Sequence, residues 1–394
     1  MANSKYQYVK SFEMDDEVMA PNIIVVRIGG RNFEKFSEVH EFAKPNNEQA
    51  LKLMNACAKA VLEEKGFHEI AFAYGFSDEY SLTEKANGIL KQNRKKQQKR
   101  DLLFKEFEIN YKELPDIVCQ GSFVLKQEVE EIITKDGSDG TPVKRMRRKV
   151  TTVHSKNVTS RSIWSTHPYL LKDLGEFEGD ICKIKPEFMK SFQFEYKLLP
   201  STWIVIRIDG CHFHKFSDIH DFEKPNDTHA LNLMNSCAMA VVEEFNDVVF
   251  AYGVSYEYSF VLKKDSQFYG RRPSEIVSVI TSFFTSVYVM KWKECLLLTE
   301  LKLSPYFDGR AICYPSNEIL LDYLVWRQVD CHINNQYNTC FWMLVKSDKT
   351  KMTKAEAQEY LKGTQTREKI NCSTTFDMDY SKLPIMFRQG SSVF

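Results

Sequence analysis

Apolar and β-branched residues at 23–28 (IIVVRI) and 204–208 (IVIRI) predict two strands, each running into a glycine-containing turn. Helices follow over about 46–64 and 226–244. In the second of these Leu231, Met234, Cys237, Ala238 and Val241 recur at three- and four-residue steps, with Asn226 and Asp227 as candidate caps. The string FAYG (72–75 and 250–253) then reads as a strand entering a tight turn and a third strand. The order β-α-β-β predicts an α+β fold with a mixed or antiparallel sheet and helices on one face. Further on, the pattern predicts a long apolar helix over about 274–294, a short strand after Gly309, and two helices near 316–330 and 332–346.

These patterns come twice because the chain repeats itself. The segment from Val9, VKSFEMDDEVMAPNIIVVRIGGRNFEKFSEVHEFAKPNN, returns from Met189 as MKSFQFEYKLLPSTWIVIRIDGCHFHKFSDIHDFEKPND, an offset of 180 residues. The offset is 178 at FAYGFSDEYS against FAYGVSYEYS, and 269 where the segment at 104–122 matches that at 375–391. The first copy therefore lacks about 91 residues that the second holds at roughly 265–355. It carries instead a tail, 123–180, without a counterpart. The expected organisation is an internally truncated first repeat with its tail, residues 1–180, and a second repeat, residues 181–394.

Composition narrows the partners. Hydrophobic residues make up 43% of the 394, enough for sizeable cores, and 53 Lys and Arg balance 53 Asp and Glu. With no net charge, attraction to a polyanion must come from local patches such as NRKKQQKR (93–100) and KRMRRK (144–149). Those runs read as RNA contacts, nuclear localisation signals or a solvated charged surface. No uninterrupted apolar stretch approaches a membrane span and the opening residues lack a signal-peptide core, so the expectation is no membrane. Ten cysteines without a C-x-x-C pair read as reduced, mostly core residues.

Candidate chemistry sits at strand ends. Asp209 and Gly210 close the first strand of the second copy, and Glu257 lies at the following strand pair. Adjacent acids with a glycine carbonyl make a hard oxygen site suited to Mg²⁺, and two such ions could clamp a nucleotide triphosphate. His212 and His214 alternate along the chain without a third ligand nearby, which argues against a His metal site.

The strings KPND-x-x-AL-x-LM (224–234), RIDG (207–210), YEYSF (256–260), FDGR (307–310), WRQ-x-DCHINNQYNT (326–339) and LKGTQ (361–365) resemble the tRNA-histidine guanylyltransferase family, with a tandem arrangement similar to plant members. The resemblance implies two tandem palm-like units of the polymerase and cyclase type. It implies addition of GMP to the 5′ end of tRNA-His: ATP adenylylates the 5′-phosphate, the 3′-hydroxyl of GTP attacks, and pyrophosphate is released, with two Mg²⁺ ions as cofactors. It further implies a homo-oligomer, and the basic runs lean towards the nucleus, with the cytoplasm as the other address.

Carried over by position, the catalytic candidates are Asp209, Glu257, Asp78 and Glu79, and the metal ligands Asp209, the Gly210 carbonyl, Glu257, the Gly30 carbonyl and Asp78. Nucleotide binding falls to Asp209, Gly210, Cys211, His212, Phe213, His214 and Ser255, and in the first copy to Gly30, Arg31, Asn32, Phe33 and Ser77. Substrate or tRNA contact falls to Lys224, Lys44, Arg271, Arg272, His332, Asn334 and Asn335, where an internal hydrogen-bond network is the other reading of the last three. Each copy departs at a metal position: Gly29 replaces the strand-end Asp in the first, and Tyr256 the turn Asp in the second. A neutral phenol is a poor Mg²⁺ ligand. The reading is thus a nucleotidyltransferase centred on the second copy, with a pseudoenzyme that keeps tRNA, nucleotide or subunit binding as the alternative.

Overall fold

The computed structural model describes residues 5–13, 26, 28–43, 47–64, 70, 72–75, 115, 117–118, 121–136, 142–153, 165–169, 196–297, 299–347, 350, 352–364 and 379–394. Two compact units emerge, one of Val18–Gln193 and one that joins Met1–Glu17 to Phe194–Phe394.

In the unit of residues 18–193, α1 (Phe33–Val39) and α2 (Glu48–Glu63) precede β1 (Phe72–Gly75), β2 (Ser122–Asp136) and β3 (Pro142–Val153). The Asn47 side chain caps α2 by accepting from the Ala50 N–H at 2.9 Å. The strands form an antiparallel sheet in the order β1-β2-β3, and Leu62 of α2 packs on Val124 and Val150. The strand expected at 23–28 falls mostly outside the described residues; Val26 and Ile28, which are described, are exposed and belong to no strand. The run KRMRRK lies in β3, where Arg148 stands opposite Glu128 and Arg145 opposite Glu131 on β2. NRKKQQKR lies outside the described residues.

The other unit runs β4 (Trp203–Gly210), α3 (Phe213–Ile219), α4 (Thr228–Glu244), β5 (Val248–Val254), β6 (Glu257–Leu262), α5 (Pro273–Cys295), β7 (Phe307–Tyr314), α6 (Asn317–Lys346), α7 (Lys354–Leu361), α8 (Ile385–Gln389) and β8 (Ser391–Val393). Its sheet is antiparallel in the order β7-β4-β6-β5-β8. Ile204, Ile206 and Ile208 point to one face and join α4 and α5 in the main core. Val205 points to the other, with Val261, Ile312 and the α6 residues Leu320, Tyr323 and Trp326. Helices therefore cover both faces, not one, because β4 buries apolar residues on both sides.

Three further expectations change. The two helices near 316–346 are one 30-residue helix, since no Gly or Pro interrupts the stretch. The strand expected after Gly309 starts at Phe307 and runs through that glycine, where a Cβ would meet Thr281 Oγ1 at 2.8 Å and Val277 at 2.9 Å. Close approach of α5 to β7 requires the missing side chain. Finally, α5 is long and apolar enough to cross a membrane by length and composition, but Ile276, Ile280, Phe284, Tyr288 and Trp292 are buried in the main core. Cys237, Cys331 and Cys340 are buried as expected, whereas Cys57 is exposed.

Candidate functional site

The register of the sheet assembles the site. Asp209 at the end of β4 lies opposite Glu257 on β6 and Asp308 on β7, so three acids share one row and one face. Two residues back along β4, on the same face, Arg207 faces Arg310. The chain leaves β4 through Gly210, whose N–H donates to the Tyr256 carbonyl at 3.1 Å, and Cys211, whose N–H donates to the Tyr306 carbonyl at 3.0 Å. A Cβ at Gly210 would overlap the Phe213 ring, so the tight exit requires glycine. His212 takes a left-handed conformation (φ 54°) before α3 begins.

The acids are not equivalent. One carboxylate oxygen of Asp209, Oδ1, is buried without a hydrogen-bond partner, and burial together with Asp308 pushes its carboxyl above the usual range. Glu257 is more buried, which raises its carboxyl too, but Arg327 of α6 opposes that with an ion pair at 2.5 Å. Arg327 is 7% exposed and also reaches Asp330 at 3.3 Å. Glu257 is therefore committed to a buried guanidinium. Tyr256, where the resemblance implies a carboxylate, puts its hydroxyl 3.3 Å from His214 Nε2 and its ring 5.6 Å from that of Phe213. Burial, Asp209 and Glu257 all raise its phenol, so it stays neutral.

These residues do not fit the two-ion centre that the resemblance implies. Two ions need carboxylates that bridge them; here Asp209 has one unpartnered oxygen, Tyr256 supplies no charge, and Glu257 is neutralised. Among the described residues no group of three or more His, Cys, Asp or Glu is placed to hold a metal.

Other predicted residues are sorted by burial. Phe213 is 5% exposed and stacks on Phe216 in the core, so its side chain cannot meet a nucleotide and only its backbone remains available. Exposed neighbours are His212, His214 and Ser255, the last in a left-handed turn (φ 55°). Cys211 is half-buried, with its thiol raised by burial and Asp308. Lys224 bonds Ser217 Oγ at 2.5 Å and pairs with Asp218 at 3.1 Å. Arg271 is corrected outright: it is 3% exposed, and its guanidinium donates to the carbonyls of Leu198, Leu199, Thr202, Lys264 and Ser266. It ties a loop together and cannot grip tRNA. Arg272 pairs with Glu275.

The HINN residues mostly turn inwards. Asn226 donates to Asn335 at 2.9 Å, Asn335 donates to the Tyr380 hydroxyl at 3.1 Å, and His332 Nε2 lies 3.1 Å from Gln336 Nε2. Of the three predicted contacts only Asn334 is exposed. Gly30, Arg31, Asn32 and Phe33 reproduce the second copy's exit turn, with Asn32 at φ 54° and the Phe33 ring against the space a Gly30 Cβ would fill. Lys44, Ser77, Asp78 and Glu79 lie outside the described residues. Sequence reasoning did not single out Asp308 or Arg327. The FDGR string, an Asp-Gly inside a strand pattern, and an Arg beside Trp326 in an otherwise apolar helical stripe were the available signals.

A family model described as tRNAHis guanylyltransferase matches residues 6–115 and 186–315, and one described as Thg1 C terminal domain matches 77–167 and 318–394. The chain belongs to the tRNA-His guanylyltransferase family. It is similar to tRNA(His) guanylyltransferase 1 of Arabidopsis thaliana, 51% identical over all of this chain and 84% of that protein, and to tRNA(His) guanylyltransferase 2 of the same plant, 48% identical over all of this chain and 91% of that one. The first match spans 484 residues, 90 more than this chain has, in keeping with the segment of about 91 residues absent from the first copy. The crystal structure of the tRNA(His) guanylyltransferase from Saccharomyces cerevisiae is 41% identical, with a TM-score of 0.51 over 53% of this chain and 92% of that one. As a guanylyltransferase family member the chain thus shares its mixed α and β fold with a solved relative.

Proposed function

We propose that this chain is a tRNA(His) guanylyltransferase, a nucleotidyltransferase that adds GMP to the 5′ end of tRNA-His, with the second copy as its working centre in a palm-type unit. Full-length similarity to proteins named for that activity supports the reading. The observation that carries it is Asp209: a strand-end carboxylate with an unpartnered buried oxygen, beside a glycine-dependent turn that presents backbone to a ligand. In the proposed reaction the tRNA 5′-phosphate attacks the α-phosphate of ATP and pyrophosphate leaves; the 3′-hydroxyl of GTP then attacks the activated 5′-phosphate and AMP leaves, and hydrolysis of the new 5′-triphosphate releases a second pyrophosphate so that GMP remains added. Residues 210–214 contribute backbone groups along the nucleotide, and His212, His214, Ser255 and Asn334 are the exposed side chains among the second copy's contact positions that the resemblance implies. Mg²⁺ is the cofactor that the family resemblance implies. The reading extends to a homo-oligomer and, from the basic runs, to the nucleus.

A second reading, a binding protein without turnover, is favoured by Tyr256 and by the Glu257–Arg327 pair. The deciding experiment measures guanylate addition to 5′-monophosphorylated tRNA-His lacking the extra G, with ATP, GTP and Mg²⁺, for the chain and for Asp209→Ala. Incorporation that the substitution abolishes establishes the enzyme. Retained tRNA binding with no incorporation by either protein establishes the binding protein.

A further inference from the structure

Residues Tyr6–Glu13 open the first copy in sequence, yet they pack within the unit that holds the second. A 3-10 helix, Gln7–Phe12, lies on the α6 face of the sheet. Val9 is wholly buried with Val205, Ile312 and Trp326. Phe12 meets Tyr314 edge-on at 5.7 Å, the Tyr8 hydroxyl donates to Asp322 at 2.5 Å, and Lys10 lies over the Trp326 ring at 5.5 Å. Glu13 accepts two hydrogen bonds from Arg207, at 2.6 and 2.9 Å, and pairs with Arg310 at 3.3 Å. Burial alone would raise the Glu13 carboxyl, and the two guanidinium groups outweigh it and hold it below the usual range.

The second copy has its own version of this segment, Met189–Gln193, reading MKSFQ against VKSFE. The two differ at the residue that matters electrostatically. Arg207 and Arg310 face each other across β4 and β7, and like charges directly opposite are destabilising. A carboxylate between them removes that cost, whereas the neutral amide of Gln193 would not. In the first copy Arg27 stands at the position of Arg207, but the counterpart of Arg310 falls within the absent segment, so no arginine pair arises there.

We propose that residues 5–13 are a strap exchanged between the repeats: the opening segment of the first copy serves the second, selected over Met189–Gln193 by the Glu13 carboxylate. The strap braces β4 two residues before Asp209, on the same face, so the first copy contributes to the second copy's site through its first thirteen residues. The proposal rests on packing and charge and stands apart from turnover.

Hydrogen exchange on the full chain tests it, with the α4 amides as a control for global opening. Glu13→Gln is expected to speed exchange of residues 7–13 about tenfold, the effect of losing one charged hydrogen bond, with α4 unchanged. The charge swap Glu13→Arg with Arg207→Glu is expected to restore protection, which also covers a single variant that opens α4. Gln193→Glu in the otherwise unaltered chain is expected to speed exchange of residues 7–13 about twofold, as two carboxylate-bearing segments then compete for one place. Unchanged exchange of 7–13 in Glu13→Gln overturns the strap. Unchanged exchange in Gln193→Glu overturns its selection by charge.

Discussion

Phe36 and Phe216 hold equivalent places in the two copies, yet one is 43% exposed and the other 4%. The same contrast runs through the paired helices: α2 buries Leu62 alone among its described residues, whereas α4 buries Leu233, Met234, Cys237, Ala238 and Val241. Local geometry does not differ in this way. Asn32 and His212 have matching left-handed angles, Asn47 and Asp227 cap their helices through the same 2.9 Å bond, and Ala73 pairs with Val124 as Ala251 pairs with Val393. Gly121 and Gly390 both sit at positive φ against the carbonyl of a neighbouring strand glycine, Gly75 and Gly253 respectively. What separates the copies is the segment present only in the second. Phe213 and Phe216 pack on Tyr288 of α5, and Phe213 also packs on Phe307 of β7. Turns and caps are local and survive the loss of that segment; burial is supplied by distant chain and does not.

The comparison can be broken most forcefully at the phenylalanines. Phe216→Ala should cost about 3–5 kcal/mol as a cavity in a closed core, and Phe36→Ala under about 1 kcal/mol. Local hydrogen exchange in each unit reads the two values separately, and equal costs would show that the first copy is buried after all. Next comes the chemistry. Tyr256→Asp, which returns a second carboxylate beside Asp209, should raise guanylate addition by about a hundredfold, the equivalent of about 2.7 kcal/mol of barrier. Asp78→Ala should leave the rate unchanged if the second copy works alone; single-turnover assays on both variants check this, and a large loss from Asp78→Ala would assign the chemistry to the first copy.

A smaller effect concerns pH. Glu13 has a lowered carboxyl in the folded chain, so its contribution is present above the ordinary glutamate range and is lost as pH falls through the lowered value. Acid unfolding of the second-repeat unit should therefore be steeper in the unaltered chain than in Glu13→Gln, as far-UV circular dichroism against pH would show. Last, Asn47→Ala and Asp227→Ala should each cost about 1 kcal/mol. Equality within error is the point, because both caps are local and owe nothing to the missing segment.

Much of this was readable along the chain. The repeat, the helix over 226–244 and the two missing carboxylates all follow from residue order, because they depend on neighbours a few positions apart or on direct self-comparison; the sequence left the sheet mixed or antiparallel and the cap at Asn226 or Asp227, and the structure decides for antiparallel and Asp227. Other features were not. The polar string around Asn335 reads equally as a substrate contact or an internal network, and only its pairing with Asn226 and Tyr380 decides for the network. Arg271 reads as an outward cation until five carbonyls are seen around it. Glu257 looks like a free acid until Arg327, seventy residues later, is placed beside it.

By itself the sequence determined the family, the duplication, the absent middle of the first copy and the identity of Tyr256 where an acid was expected. Tertiary structure alone decided which charges are spoken for: Glu257 by Arg327 and Arg207 by Glu13. The reason is physical. A charge's availability depends on what lies within a few ångströms and on how much water is excluded there, and both are set by segments far apart in the chain.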